Sequence, residues 1–239
     1  DKAVADYLEG RSTFLNIGVP FRHGKSDIVS RAFPAYFLGR LADHEPSIIL
    51  TGYGASLVEG FGSDAKRIMR GDAYAELFPA VALSGDTNNA AEWMVQGSTG
   101  RVTCAGLGGA INGKGGALIV VDDYCKKREE AESKTYRDKT CGSFANEVMT
   151  RRAPVCIVIV VATPWHTDDI RGRIKAKMAD PAFPQFEFMD FPATNPDGTF
   201  LFPERMTDQW YREQYVILSK YEASGLLDIN PELFWTAAH

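Results

Sequence analysis

Three short stretches of this chain carry the residue types of nucleotide chemistry. In "GVPFRHGKSDIV" (18–29), Gly24, Lys25 and Ser26 follow the apolar run "FLNIGV" (14–19). A phosphate cradle needs a strand, a tight turn whose backbone N–H groups converge on the phosphates, a lysine at the helix start and a hydroxyl for Mg²⁺. The tripeptide supplies the last three. The glycine that opens the G-x-x-x-x-G-K-[ST] pattern is missing, however, because Val19 stands there, and a lone Gly-Lys-Ser also arises at helix starts by chance. The second stretch, "GGALIVVDDYCK", reads as a buried strand ending in Asp122 and Asp123. There the first carboxylate would hold Mg²⁺ and the second would activate the attacking water. Paired acids at a strand end are otherwise commonly a solvated turn; downstream of a Gly-Lys-Ser they fit an Asp–Mg site better. Glutamate is the commoner base in ATP-hydrolysing motors. The shorter Asp123 therefore keeps Glu129 and Glu130, on the next helical stretch, as alternatives. The third stretch, "VIVVATPWHTDD", ends a strand at Thr163, whose hydroxyl could touch the γ-phosphate or the attacking water, or merely cap the following turn. His166 reads as structural, since no second His or Cys lies at ligand spacing.

The elements that must position these residues are legible as apolar, β-branched runs bounded by turn residues. They are "FLNIGV" (14–19), "SIILTGY" (47–53), "RVTCAG" (101–106), "ALIVVDD" (117–123), "CIVIVVATP" (156–164) and, more weakly, "FEFMDFPA" (186–193). Helical patterns lie at 25–41, 55–70, 128–150 and 167–179, and Pro34 is expected to kink or end the first. Runs such as "LIVV" lack polar alternation and so read as strands buried on both faces. The fold class that follows is α/β, a mostly parallel central sheet flanked by helices. We place the core at 1–193. Residues 194–239 read as a small appendage, turn-rich and then helical, with Thr207 as its N-cap.

Bulk properties bound the function. A chain of 239 residues, 45% apolar and 24% charged, can bury one sizeable core. No apolar run reaches the length of a membrane span, and the acidic and basic mixture at the start is no signal peptide. Cys104, Cys125, Cys141 and Cys156 lie far apart with only four histidines to help them, which argues against a zinc site or a disulfide framework and for a reducing compartment. A net charge of -5 argues against a constitutive DNA-binding surface but leaves room for transient contact.

Taken with their surroundings, these stretches resemble the ATPase domain of the large terminase subunit of tailed bacteriophages. "VPFRHGKS" is similar to that family's "PPRHGKS" loop, and "SRAFPAYFLGR" and "TGYGASLVEGFGSDAKRIM" to the segments that follow it. "GLGGAINGKGGALIVVDDYCKKREEAESKTYRDK" matches a subgroup's glycine-rich loop, paired aspartates and "REEA" helix. "ATPWHTDDIRGRI" is similar to its "TRWH" motif, with Pro164 in place of the usual Arg. The similarity covers roughly residues 5–220.

The resemblance implies a P-loop NTPase of the RecA-like, ASCE type. It would use ATP and Mg²⁺ to push double-stranded DNA into a preformed capsid, as a homo-oligomeric ring at the portal protein or a monomer in isolation. The small terminase subunit would be a further partner, the host cytoplasm the compartment, and a membrane would play no part. In that family the first loop position is frequently not glycine. Residues 20–27 (Pro20, Phe21, Arg22, His23, Gly24, Lys25, Ser26, Asp27) would bind ATP, and Ser26 and Asp122 the metal. Lys25, Asp123, Arg22 as nucleotide sensor and Thr163 as coupling residue would be catalytic, with Lys114 acting on a neighbour's γ-phosphate and Arg101 as its alternative. Arg171, Arg173, Lys175 and Lys177 could touch DNA, although charge on a helix face is more often simply solvated. Family members usually continue into a nuclease domain, for which the stretch after Ser219 is too short, and they grip adenine with residues ahead of the loop, where this chain has only 1–18. A helicase-like translocase and a non-hydrolysing nucleotide-binding scaffold are the competing readings.

Overall fold

The computed structural model describes residues 1–213 apart from 110, 112 and 196–198. Its framework is an eight-stranded sheet formed by β1 (Thr13–Gly18), β2 (Ile48–Gly52), β3 (Leu83–Asn88), β4 (Glu92–Val95), β5 (Arg101–Gly106), β6 (Gly116–Asp122), β7 (Arg152–Ala162) and β8 (Glu187–Asp190). The spatial order is β3-β4-β5-β2-β6-β7-β1-β8. From β5 to β8 every pairing is parallel, whereas β3, β4 and β5 pair antiparallel. All six strands read from the sequence are present. The β3–β4 hairpin is an addition to them.

Strands β2 and β6 are buried along their whole length, which is why their sequences show no polar alternation. Successive side chains of one strand still divide between two cores. Leu118 and Val120 face one side, with Val58, Phe61 and Ala65 of α3 (Ala55–Met69) and Phe37 and Leu38 of α2 (Phe33–Arg40). Ile119 and Val121 face the other, with Phe144, Val148, Ile170 and Ile174. Helix α1 (Lys2–Leu8), not foreseen from the sequence, adds Val4 to the first core, and the short α4 (Asp72–Leu77) adds Tyr74.

The helical stretches follow the sequence with two local differences. Residues Asp27–Ala32 are wound as a π-helix and the α form begins at Phe33, so Pro34 falls in the first turn of α2. Ala32 and Phe33 both keep right-handed helical dihedrals, so the helix runs on through the proline, and the change from π to α winding takes the place of the expected break. The single helix expected over 128–150 is divided into α5 (Arg128–Glu132) and α6 (Lys134–Ser143). The break is Ser133, in extended conformation, whose hydroxyl caps α6 by accepting from Tyr136 N at 3.3 Å. Helix α7 (Ile170–Lys177) is capped by Asp169, which accepts from Gly172 N at 3.0 Å.

Strand β7 stands between β1, which leads into the Gly-Lys-Ser loop, and β6, which ends in the paired acids. The register brings Gly18 level with Ala162 and Asp122 level with Val161 and Gly52, so the loop, the acids and Thr163 emerge at one carboxyl edge. The helix after β1 packs on one face and α7, after β7, on the other. The chain therefore switches faces here, where ligands of open α/β sheets bind.

Beyond β8, Thr207 Oγ1 accepts from Trp210 N at 3.2 Å, as an N-cap does, and 208–213 is helical. The rest of the expected appendage helix lies outside the described residues. Ala193, Met206 and Tyr211 form a third small core together with Phe21, Phe200 and Trp210. This segment therefore packs directly on the Gly-Lys-Ser loop. No helix among the described residues is long and apolar enough to cross a membrane.

Candidate active site

The loop after β1 turns through two left-handed residues, Arg22 at φ 63° and Gly24 at φ 78°. Glycine adopts that conformation freely, whereas arginine does so against a steric penalty. His23, between them, is buried and fixes the turn. Its Nδ1 lies 2.8 Å from the Phe21 carbonyl, which can only accept, so Nδ1 carries the proton and Nε2 accepts from the Tyr211 hydroxyl. The Ile28 N–H donates to the Gly24 carbonyl at 3.1 Å and starts the helix. Lys25 is thereby aimed back across the sheet edge. Its Nζ donates to Asp123 Oδ2 at 2.5 Å and lies 3.8 Å from Asp122 Oδ1.

Asp122 is the more demanding of the two acids. It is 1% exposed, and burial pushes its carboxyl above the ordinary 3.8, while Lys25 and the hydroxyls of Ser30 and Ser26 pull the other way. Oδ2 accepts from Ser30 Oγ at 2.5 Å, and Oδ1 is buried without a hydrogen-bond partner. An orphaned, buried carboxylate oxygen beside the Ser26 hydroxyl fits a hard cation, and Mg²⁺ commonly takes only one or two protein oxygens, with phosphate and water completing its shell. Asp123, left-handed at φ 48°, is held by its own backbone. Its N–H donates to Val161 O at 3.1 Å and its carbonyl accepts from Tyr53 N at 2.8 Å. Gly52 is required alongside, because a Cβ there would sit 2.2 Å from the Asp122 carbonyl oxygen.

Above these groups lies a cavity of about 590 Å³, lined by Arg22, Gly24, Lys25, Ser26, Asp27 and Asp123 and by Arg31, Tyr53, Leu57, Phe61, Arg205, Met206, Thr207 and Trp210. That volume falls in the range of roughly 300–1,000 Å³ typical of small-molecule sites. Of the loop residues expected to bind ATP, Pro20, Phe21 and His23 do not line it. Phe21 packs edge-on against Trp210 with ring centroids 6.4 Å apart. Asp27 is committed to Arg31 at 2.5 Å. Thr163 Oγ1 donates to Val19 O at 3.2 Å, so it joins the end of β7 to the loop without lining the cavity.

Other sequence expectations fall elsewhere. Lys114 and Arg101 both pair with Glu92, each at 2.5 Å, and neither lines this chain's own cavity. Glu129 is exposed and pairs with Lys127, and Glu130 accepts from Lys126 N at 2.9 Å; these reserve bases are likewise absent from the lining. Arg171 and Arg173 are not a free basic face. Arg171 is buried, donates to Asp190 and occupies the space a side chain at Gly18 would need, while Arg173 bridges Asp168 and Asp138. Lys175 and Lys177 remain exposed. His166 accepts from Asp168 N at 2.8 Å, a local structural bond. All four cysteines are free.

Comparison with known proteins now bears on this geometry. The family model described as "Terminase large subunit, T4likevirus-type, N-terminal" matches residues 16–216, from within β1 past the last described helical turn. The chain belongs to the large terminase family. Among solved structures, the large terminase of bacteriophage HK97 superposes on the terminase chain with a TM-score of 0.51 at 12% identity. The match covers 93% of this chain and 47% of that one, so the chain spans about half the length of the HK97 protein, and the likeness is one of fold. No curated protein sequence matches it.

Sequence reasoning missed three members of the terminase site. Ser30, on Asp122, lies one helical turn beyond Ser26, a spacing that could have flagged it. Tyr211 and Arg205 reach the loop from the far end of the chain, and no local pattern ties them to it.

Proposed function

We propose that this domain is an Mg²⁺-dependent ATPase that drives double-stranded DNA into a preformed capsid, working at the portal with the small terminase subunit in the infected host's cytoplasm. The observation that carries the reading is Lys25 reaching from the left-handed loop of β1 to both acids at the end of β6, at 2.5 and 3.8 Å. A lysine that lines the cavity with Asp123, and has the buried Asp122 behind it, is placed to exchange carboxylate for phosphate oxygens. Ser26 and Asp122 would hold Mg²⁺, which when bound would neutralise charge developing on the phosphates. Asp123, its backbone pinned and its carboxylate facing the cavity, would orient the attacking water and take its proton once Lys25 has moved to phosphate. Arg22, exposed on the same rim, would meet the nucleotide. Thr163, bonded to the loop at Val19, would pass its movement to β7. Lys114 or Arg101 would serve a neighbouring subunit's site in the assembled ring.

Phosphate release with and without double-stranded DNA tests this reading, measured at rising protein concentration so that subunits can complete one another's sites. Lys25→Ala or Asp122→Ala should lower turnover by more than about a hundredfold while the circular dichroism spectrum stays native. Near-parent turnover in either variant would refute the assignment, and unwinding of a labelled duplex would favour a helicase-like enzyme.

A further inference from the structure

One wall of the cavity has no role in the mechanism above. It comes from the segment after the sheet, and its charged member is Arg205. The other cavity cations have close acidic partners or sit in the loop itself. Lys25 faces Asp122 and Asp123, and Arg31 is held by Asp27 at 2.5 Å and Asp64 at 2.6 Å while lying over the Phe61 ring. Arg205, by contrast, lies 3.8 Å from Asp27, beyond hydrogen-bond distance, and that carboxylate already takes Arg31.

The position of its guanidinium is specific. A Cβ built on Gly24 would meet Arg205 Nη1 at 3.9 Å, so the group hangs over the glycine of the phosphate loop. Its backbone is anchored on both sides. The N–H groups of Arg205 and Met206 both donate to the Phe202 carbonyl, Phe200 stacks on Tyr211 at 4.0 Å, and Tyr211 donates to His23 within the loop. The segment thus presents a guanidinium, a planar fork suited to phosphate oxygens, over Gly24 in the cavity that Lys25 also lines.

Resting on the ATPase reading above, we propose that Arg205 is a phosphate ligand supplied in cis. It would close the polyphosphate cradle over Gly24, adding a second cation to Lys25. Because the side chain is 56% exposed, its contribution belongs at the low end for a charge-assisted hydrogen bond, about tenfold in affinity.

Competition against a fluorescent ATP analogue on the whole chain, with magnesium present, tests this using ATP and inorganic tripolyphosphate as competitors. Arg205→Gln should weaken both by the same factor of about tenfold, Arg205→Lys should recover part of the loss, and the melting temperature of the ligand-free protein should not change. Tripolyphosphate bound equally well by parent and Arg205→Gln would overturn the proposal. So would a loss confined to ATP, which marks a contact to the base, or a loss matched by a lower melting temperature, which marks a structural role. Lys25→Ala separates the two levels of the argument. If it abolishes ATP binding while Arg205→Gln does not weaken it, this inference alone fails; if the parent binds no ATP, the ATPase reading fails with it.

Discussion

Replacing Lys25 by alanine tests the charge balance of the site before any nucleotide is added. Its Nζ stands 2.5 Å from one carboxylate and 3.8 Å from the other, and the three side chains are 11% (Lys25), 25% (Asp123) and 1% (Asp122) exposed. At an effective dielectric of about 20, unit charges at those separations attract by roughly 6.6 and 4.4 kcal/mol. The net loss is smaller, because a released Asp123 regains water whereas Asp122 cannot. Removing one partner of a buried pair costs about 3–5 kcal/mol, and the exposure of Asp123 puts the expected loss near the lower end, about 3 kcal/mol at pH 7. A domain with about 5–15 kcal/mol of stability remains folded after that loss. Asp122 sets the pH dependence. Its carboxyl is already raised above 3.8 by burial, and loss of Lys25 raises it further. A carboxyl raised on folding binds more protons in the native state, so stability increases as pH falls through the window between the folded value and 3.8. The Lys25→Ala deficit should therefore be largest at neutral pH and narrow on acidification. Asp122→Asn keeps the Ser30 hydrogen bond and removes the buried charge, so the double variant should recover much of the loss. Urea unfolding of the parent, both single variants and the double variant at pH 7 and pH 5 closes the cycle. Parent-like stability of Lys25→Ala at pH 7, or a double variant no more stable than the single one, would refute the reasoning.

Two further outcomes follow from the same geometry. Gly52→Ala places a Cβ 2.2 Å from the Asp122 carbonyl oxygen, a backbone atom at the centre of the sheet; it should cost about 3 kcal/mol, the upper part of the overpacking range, and weaken ATP binding by displacing both acids. Unfolding and binding measurements within error of the parent would contradict it. Burial lowers the His23 pKa from 6.5, the Phe21 carbonyl opposes this, and Arg205 reinforces it. A base depressed on folding gives stability that is complete above 6.5 and lost as pH falls through the folded value. The melting temperature should therefore drop on acidification below 6.5 in the parent and drop less in His23→Gln; identical profiles would show that the loop does not depend on neutral His23.

How much of this was legible follows from where each signal resides. Of the six foreseen strands, β2, β6 and the second half of β7 are runs buried on both faces, a property of the residues themselves. The β3–β4 hairpin escaped notice because "LSGDTN" is largely polar and "EWMV" alternates over only four residues, although Trp93 in it is fully buried. The meeting of Lys25 with Asp122 and Asp123 was readable because parallel strands place their carboxyl ends on one edge, whatever the intervening chain does. No such rule brings Arg205 or Tyr211 to the loop, 188 residues separating Tyr211 from His23. Arg171 and Arg173 show the same limit from the other side, since helix spacing left them as a solvated or DNA-facing charge and could not show that both are paired. The partners that absorb their charge lie on β8, before α7 and in α6.

The missing loop glycine also finds its reason in backbone geometry. Val19 is not among the left-handed residues; it is buried, and its N–H donates to Ala162 O at 3.2 Å, which extends the β1–β7 pairing by one residue. A glycine there would supply a freedom the chain does not use and would remove a packed side chain. The reversal is made later, at Arg22 and Gly24, and only the second of these is glycine. A non-glycine left-handed residue costs about 1–3 kcal/mol and persists where its neighbours fix it. For Arg22 the fixing comes from His23, tied on one side to Phe21 and on the other to Tyr211. The strained arginine and the distant tyrosine are thus parts of one device. The loop keeps its shape because the segment carrying Arg205 is docked on it, so loosening Tyr211 should disturb Arg22 and Arg205 together.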